Sequence, residues 1–83
     1  MSGKVYKVTA PLAGTFYEAP SPEDAPFVEV GQKVKTGDVL CIVESMKVFT
    51  EIRAERGGTV VNVLVEDEDS VKKEQVLIEI EMT

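Results

Sequence analysis

The chain has no histidine and a single cysteine, Cys41, among its 83 residues. Neither a zinc site of the usual Cys/His kind nor a Ser-His or Cys-His nucleophile pair can be assembled within it. The glycine-framed stretch Gly31-Gln32-Lys33-Val34-Lys35-Thr36-Gly37 is no phosphate loop, because its Lys-Thr precedes the second glycine instead of opening a helix after one; it reads as a turn. What remains is the link between two similar halves of the chain, where position sets one lysine apart. Glu44-Ser45-Met46-Lys47-Val48-Phe49-Thr50-Glu51 lies between a strand ending near Glu44 and one starting near Val48, which places Lys47 at a hairpin tip. There a lysine is held on a rigid support and stays free to be grasped by another protein. The plain alternative is a solvated lysine beside a methionine, Met46, that packs on the end of the domain.

The elements that must position this hairpin read as all-β. Valine occurs 14 times against 4 leucines, and with 4 isoleucines and 6 threonines the β-branched residues favour strands over helices. Val76-Leu77-Ile78-Glu79-Ile80-Glu81 shows period two, with Glu79 and Glu81 on one face and Ile78 and Ile80 on the other. A helix from Val61 to Lys73 competes, since Val61, Leu64 and Val65 share a helical face, but the stripe fails at Glu68. A chain this short buries only about 60 to 65% of the surface it exposes unfolded, so one domain spanning residues 1–83 with no deep cleft is expected. The net charge of −6 argues against nucleic acid, whose phosphates require lysines and arginines. No apolar run approaches the roughly 20 residues of a membrane helix, and the first residues lack the apolar stretch of a secretory signal. A cytoplasmic protein without membrane contact is expected.

The halves of the chain repeat one another. Val8-Thr9-Ala10-Pro11-Leu12-Ala13-Gly14-Thr15-Phe16 aligns with Ile52-Arg53-Ala54-Glu55-Arg56-Gly57-Gly58-Thr59-Val60 at an offset of 44, keeping an Ala-x-x-x-Gly-Thr frame. Val34 to Glu44 aligns with Val71 to Glu81 at an offset of 37, with five of eleven positions identical. The drop in offset means that the first half carries seven extra residues between Phe16 and Val34. The segment 17–28 there holds three of the four prolines, which cannot extend an interior strand, so a loop standing off the barrel is expected. By residue type alone it is either a tolerated surface insertion or a finger that touches a ligand or partner. The same alignment sets Cys41 on Ile78, an inward position, where a thiol packs as a small hydrophobe and is inert.

Glu44-Ser45-Met46-Lys47-Val48 resembles the Glu-Ala-Met-Lys-Met signature of the biotin carboxyl carrier domains of biotin-dependent carboxylases, a family that shares its fold with lipoyl domains. Ala10 to Tyr17, Pro20-Ser21-Pro22, and Val30-Gly31-Gln32-Lys33-Val34 running on to Glu44 are similar to the carrier subunit of bacterial-type acetyl-CoA carboxylase. The resemblance implies a flattened β-barrel or sandwich of two four-stranded antiparallel sheets related by a pseudo-twofold, a barrel-sandwich hybrid. It also implies a proline-rich thumb, about 17–28, beside the cofactor, and a modified hairpin, about 44–51. Lys47 would carry covalent biotin, flanked by Met46, Val48, Glu44 and Ser45. Ser45 stands where the family has alanine and Val48 where it has methionine, while Met46-Lys47 is intact. The oligomerising segment and Pro/Ala-rich linker of full-length carriers are missing, as in an excised domain or a naturally short carrier.

The function implied is that of a non-catalytic carrier in fatty acid synthesis. Biotin protein ligase would attach biotin to Lys47, biotin carboxylase would carboxylate it, and a carboxyltransferase would take up the carboxyl group; the ring chemistry belongs to cofactor and partners. The swinging arm reaches roughly 12 to 15 Å, so the domain itself must travel between sites. Glu66-Asp67-Glu68-Asp69 reads as a solvated turn, with steering towards basic rims of partner enzymes as a second reading. A lipoyl-carrier domain of a 2-oxoacid dehydrogenase and an unmodified adaptor barrel are the alternatives; the first commonly has an acidic residue before the lysine, where this chain has Met46.

Overall fold

The computed structural model describes residues 4–82. The β-branched runs form eight strands among them, with no helix: β1 (Val5–Thr9), β2 (Gly14–Tyr17), β3 (Lys33–Val34), β4 (Val39–Ser45), β5 (Val48–Arg53), β6 (Gly58–Val63), β7 (Ser70–Val71) and β8 (Val76–Met82). The stretch from Val61 that competed as a helix is the end of β6, a turn through Glu66–Asp69, and β7. No helix is therefore available to cross a membrane among the described residues.

Two four-stranded antiparallel sheets result, in the orders β1-β8-β6-β3 and β5-β4-β2-β7. An offset of 44 carries β1 and β2 onto β5 and β6, and an offset of 37 carries β3 and β4 onto β7 and β8, so one sheet maps onto the other. The duplication seen in the residues is a pseudo-twofold in the fold. It extends to the turns: Gly37 N donates to Ala54 O at 2.8 Å as Glu74 N donates to Ala10 O at 2.7 Å. Likewise Asp38 Oδ2 accepts from Lys35 N as Gln75 Oε1 accepts from Lys72 N, both at 2.9 Å.

The shared Ala-x-x-x-Gly-Thr frame has a steric cause. Ala10 and Ala54 are buried, and a Cβ on Gly14 or Gly58 would overlap the carbonyl oxygen of Glu44 or Glu81 in the adjacent strand. Only glycine permits that approach. Strict alternation alone would turn Leu77 outward, yet Leu77, Ile78 and Ile80 are all buried. The reason is a bulge: Val8 faces Ile78 and Thr9 faces Val76, leaving Leu77 as the extra residue. Leu40 repeats this between Val39 and Cys41. The doubled apolar positions fill the space between the sheets with Phe16, Leu40, Val43, Val60, Leu77, Ile78 and Ile80, each contributing about 1.5–3 kcal/mol of burial. Cys41 lies among them, fully buried, and burial pushes its thiol up to about 12.

The extra residues of the first half do not simply stand off the barrel. β2 ends at Tyr17, and the chain folds back so that Ala19–Pro22 face Ile42 and Phe49 across a pocket on the outer side of the sheet. Phe27 N donates to Glu18 O at 2.8 Å and closes the loop at its base. Phe27 then packs against the core and Val28 is buried, because these two apolar residues return the chain to the body of the domain. The excursion is thus residues 18–26, narrower than the proline content suggested.

Candidate functional site

The hairpin joining β4 to β5 has only two residues outside the Ser45–Val48 pair, Met46 and Lys47. Both have positive φ, 52° and 67°. This is the pattern of the primed turns that match the twist of paired strands, and the positions usually belong to Asn and Gly. A methionine and a lysine are strained there by about 1–2 kcal/mol each. One compensating contact is visible: the Glu44 carboxylate, through Oε2, accepts the backbone N–H of Lys47 at 2.7 Å.

The turn presents its side chains to solvent. Lys47 is exposed, Met46 is 91% exposed and Val48 62% exposed, while Glu44 and Ser45 at the end of β4 are half-buried. All five residues singled out in the sequence are therefore together at one tip. Met46 does not pack on the end of the barrel, while Lys47 is solvated as either reading of the dipeptide requires.

Beside the hairpin lies the pocket under the proline-rich loop, a cavity of about 210 Å³. Tyr17, Ile42 and Phe49 form its floor, Ala19, Pro20 and Pro22 its cover, and Asp67 and Glu68 one edge. The Tyr17 and Phe49 rings stand 6.3 Å apart at 42°, within the range of a favourable aromatic pair. Phe49 is 64% exposed although it sits in a strand next to the lysine turn, so the hairpin carries apolar surface from its tip to the pocket. The site thus combines an accessible primary amine on a short strained turn with a small apolar recess on the same sheet. Among the described residues no group of three or more His, Cys, Asp or Glu is placed to hold a metal.

Residues 6–81 match the profile of the family described as "Biotin-requiring enzyme". The chain belongs to this family. Among curated relatives, the biotin carboxyl carrier protein of acetyl-CoA carboxylase from Haemophilus influenzae is 51% identical over 74 residues, covering 89% of this chain and 48% of that one. Its namesake from Pseudomonas aeruginosa is 53% identical over 73 residues, covering 88% and 47%. The chain spans about half the length of these relatives. A single-chain, multi-domain long-chain acyl-CoA carboxylase superposes with a TM-score of 0.81 at 25% identity, over 95% of this chain and 7% of that one. The urea carboxylase of Kluyveromyces lactis shares the fold, with a TM-score of 0.78 at 24% identity over 96% of this chain and 6% of that one.

In this biotin-requiring family member the residues alone placed Lys47 and its neighbours at a hairpin tip, as in the structure, but did not reveal the pocket floor. Phe49 carried a signal, since an aromatic residue on the outward parity of a strand, paired with Glu44, has no core to fill. Ile42 and Tyr17 pair directly across β4 and β2 on that same outer face. Asp67 carried none: in a run of four acids nothing in the residues marks it from its neighbours.

Proposed function

We propose that the chain is a biotin carboxyl carrier domain with biotin amide-linked to Nζ of Lys47. The observation that supports this most directly is the exposed lysine on the two-residue turn, held by the Glu44 carboxylate. The residues present fit the group. The amine is open to a biotin protein ligase, and the recess formed by Tyr17, Ile42, Phe49 and the loop 18–26 offers apolar surface to the thioether side of the ring system.

When bound, biotin would supply the ureido nitrogen that receives a carboxyl group from biotin carboxylase and yields it to a carboxyltransferase, with acetyl-CoA as acceptor in keeping with the names of the relatives. The chain's own residues do the rest by position. Met46 and Lys47 project the attachment point beyond the sheet, Val48 and Phe49 provide apolar surface at the docking tip, and the rigid β4–β5 pair fixes where the tether begins. Tethering to the enzyme keeps the group at an effective concentration of around the millimolar range. On this reading the domain is a carrier, and the bond-making groups belong to its partner enzymes.

Intact mass after co-expression with a biotin ligase tests the assignment. One biotinyl group is expected on the wild type and none on Lys47→Arg, with unchanged thermal unfolding; a label that survives in Lys47→Arg, or a lipoyl group in its place, would overturn it.

A further inference from the structure

We propose that Asp67 is a positioning residue that pins the thumb, residues 18–26, over the pocket beside Lys47, and so controls how firmly the tethered group is sheltered there. The proposal rests on the biotin-carrier reading for its functional half only. Asp67 Oδ1 accepts the backbone N–H of Glu18 at 2.9 Å. Glu18 is the first residue of the thumb, and its carbonyl accepts Phe27 N at 2.8 Å as the chain returns. One peptide segment therefore ties both legs of the loop, and its amide end is anchored in a turn from the other half of the chain.

That turn is itself stiff. Phe16 N donates to Asp69 O at 2.8 Å and Glu68 N to Phe16 O at 2.7 Å, while Asp69 Oδ2 accepts Glu66 N at 2.8 Å. The carboxylate of Asp67 thus hangs from a frame bonded to β2 on the last turn before the thumb leaves it. Both Asp67 and Glu68 border the pocket that Pro20 and Pro22 cover.

The duplication separates this contact from the background of the fold. The bonds that close the Glu66–Asp69 turn recur in the first half, where Gln32 Oε1 accepts Glu29 N at 3.2 Å and Gly31 N donates to Val60 O at 2.7 Å. The position matching Asp67 there is Val30, 63% exposed, with no carboxylate to offer. The strand that this turn bonds to, β6, is the counterpart of β2, and it runs on to Val63 with no thumb departing. The acceptor is present only where a thumb needs one, so Asp67 does more than solvate a turn.

The test compares the full chain with Asp67→Ala and Asp67→Asn, the latter keeping a side-chain carbonyl at Oδ1. In the unmodified proteins the Glu18 amide should exchange with deuterium about five- to tenfold faster in Asp67→Ala, as expected for one lost hydrogen bond of ordinary net strength to a solvent-exposed acceptor, with Asp67→Asn restoring much of the protection. Equal exchange in wild type and Asp67→Ala overturns the pinning, whatever the chain carries on Lys47. After biotinylation, avidin should capture Asp67→Ala several-fold faster than wild type, with Asp67→Asn in between. Equal capture rates with altered exchange overturn the sheltering role. A chain that accepts no biotin overturns the carrier reading instead and leaves the exchange result standing.

Discussion

Replacing Glu44 with alanine should loosen the turn that holds Lys47. Met46 and Lys47, at φ 52° and 67°, together store about 2–4 kcal/mol relative to ordinary backbone regions. The tight two-residue connection competes with wider, unstrained conformations that release the Ser45–Val48 pair. Against that release stands the 2.7 Å bond from Lys47 N to Glu44 Oε2. Hydrogen bonds to charged groups contribute about 1.5–3 kcal/mol, and at a half-buried carboxylate the lower end applies. Removing about 1.4 kcal/mol multiplies the opened population about tenfold.

Three forms separate the clamp from a general loss of charge: wild type, Glu44→Ala, and Glu44→Gln, which keeps an acceptor at the same reach. In Glu44→Ala the Lys47 backbone amide should exchange about tenfold faster, and kcat/KM with a biotin ligase should fall several-fold. Thermal unfolding should drop by about 4–8 °C for each kcal/mol lost. Glu44→Gln should lie between. Slower biotinylation with unchanged Lys47 amide exchange would refute the reasoning, because Glu44 would then act by touching the ligase and not by holding the turn.

Two further expectations concern the frame beneath the site. Burial raises the Cys41 thiol from 9.0 to about 12, so the folded chain holds that proton more tightly than the unfolded one. The associated stability is complete below pH 9 and is lost as pH rises towards 12. Urea unfolding should therefore show the advantage of wild type over Cys41→Ala shrinking by about 1 kcal/mol between pH 9 and 10, and parallel pH profiles would contradict it. Glu74 has φ 70° where its counterpart Gly37 has φ 94°. Glu74→Gly should relieve about 1–2 kcal/mol of strain against about 0.5–1 kcal/mol of lost backbone freedom, a net gain of up to about 1.5 kcal/mol; a lower melting temperature would count against it.

Much of this fold was legible because it is written twice. Ala10 with Ala54, Gly14 with Gly58, and Cys41 with Ile78 occupy equivalent places in the two sheets, so parity and alignment located core and strands together. Alternation gave Leu77 no face, because a bulge is a property of two strands in register, and its only trace in the residues is that Leu40 recurs at the same offset. Phe27 and Val28 lie in the loop between β2 and β3, yet they pack on the core, because prolines mark where a strand must stop but not where the chain rejoins the core. The positive φ of Met46 and Lys47 left no local mark at all, since neither residue favours that conformation. Cross-strand pairing imposes it.

The same duplication shows where the molecule departs from mere stability. Equivalent contacts persist even where the residues differ, as with the paired bonds of Gly37 and Glu74. Three departures concern the lysine turn and its surroundings. The pairing that closes Ser45 on Val48 through the Met46-Lys47 turn has as its counterpart the approach of Met82 N to Lys4 O at 2.7 Å. The thumb replaces the outer part of β6, and Asp67 replaces Val30. Lysine turn, apolar cover and the carboxylate that ties the cover down all lie on the β5-β4-β2-β7 sheet or its adjoining turn. The two-residue turn, the seven extra residues of the first half and the Asp67 carboxylate thus distinguish this sheet from its pseudo-twofold counterpart.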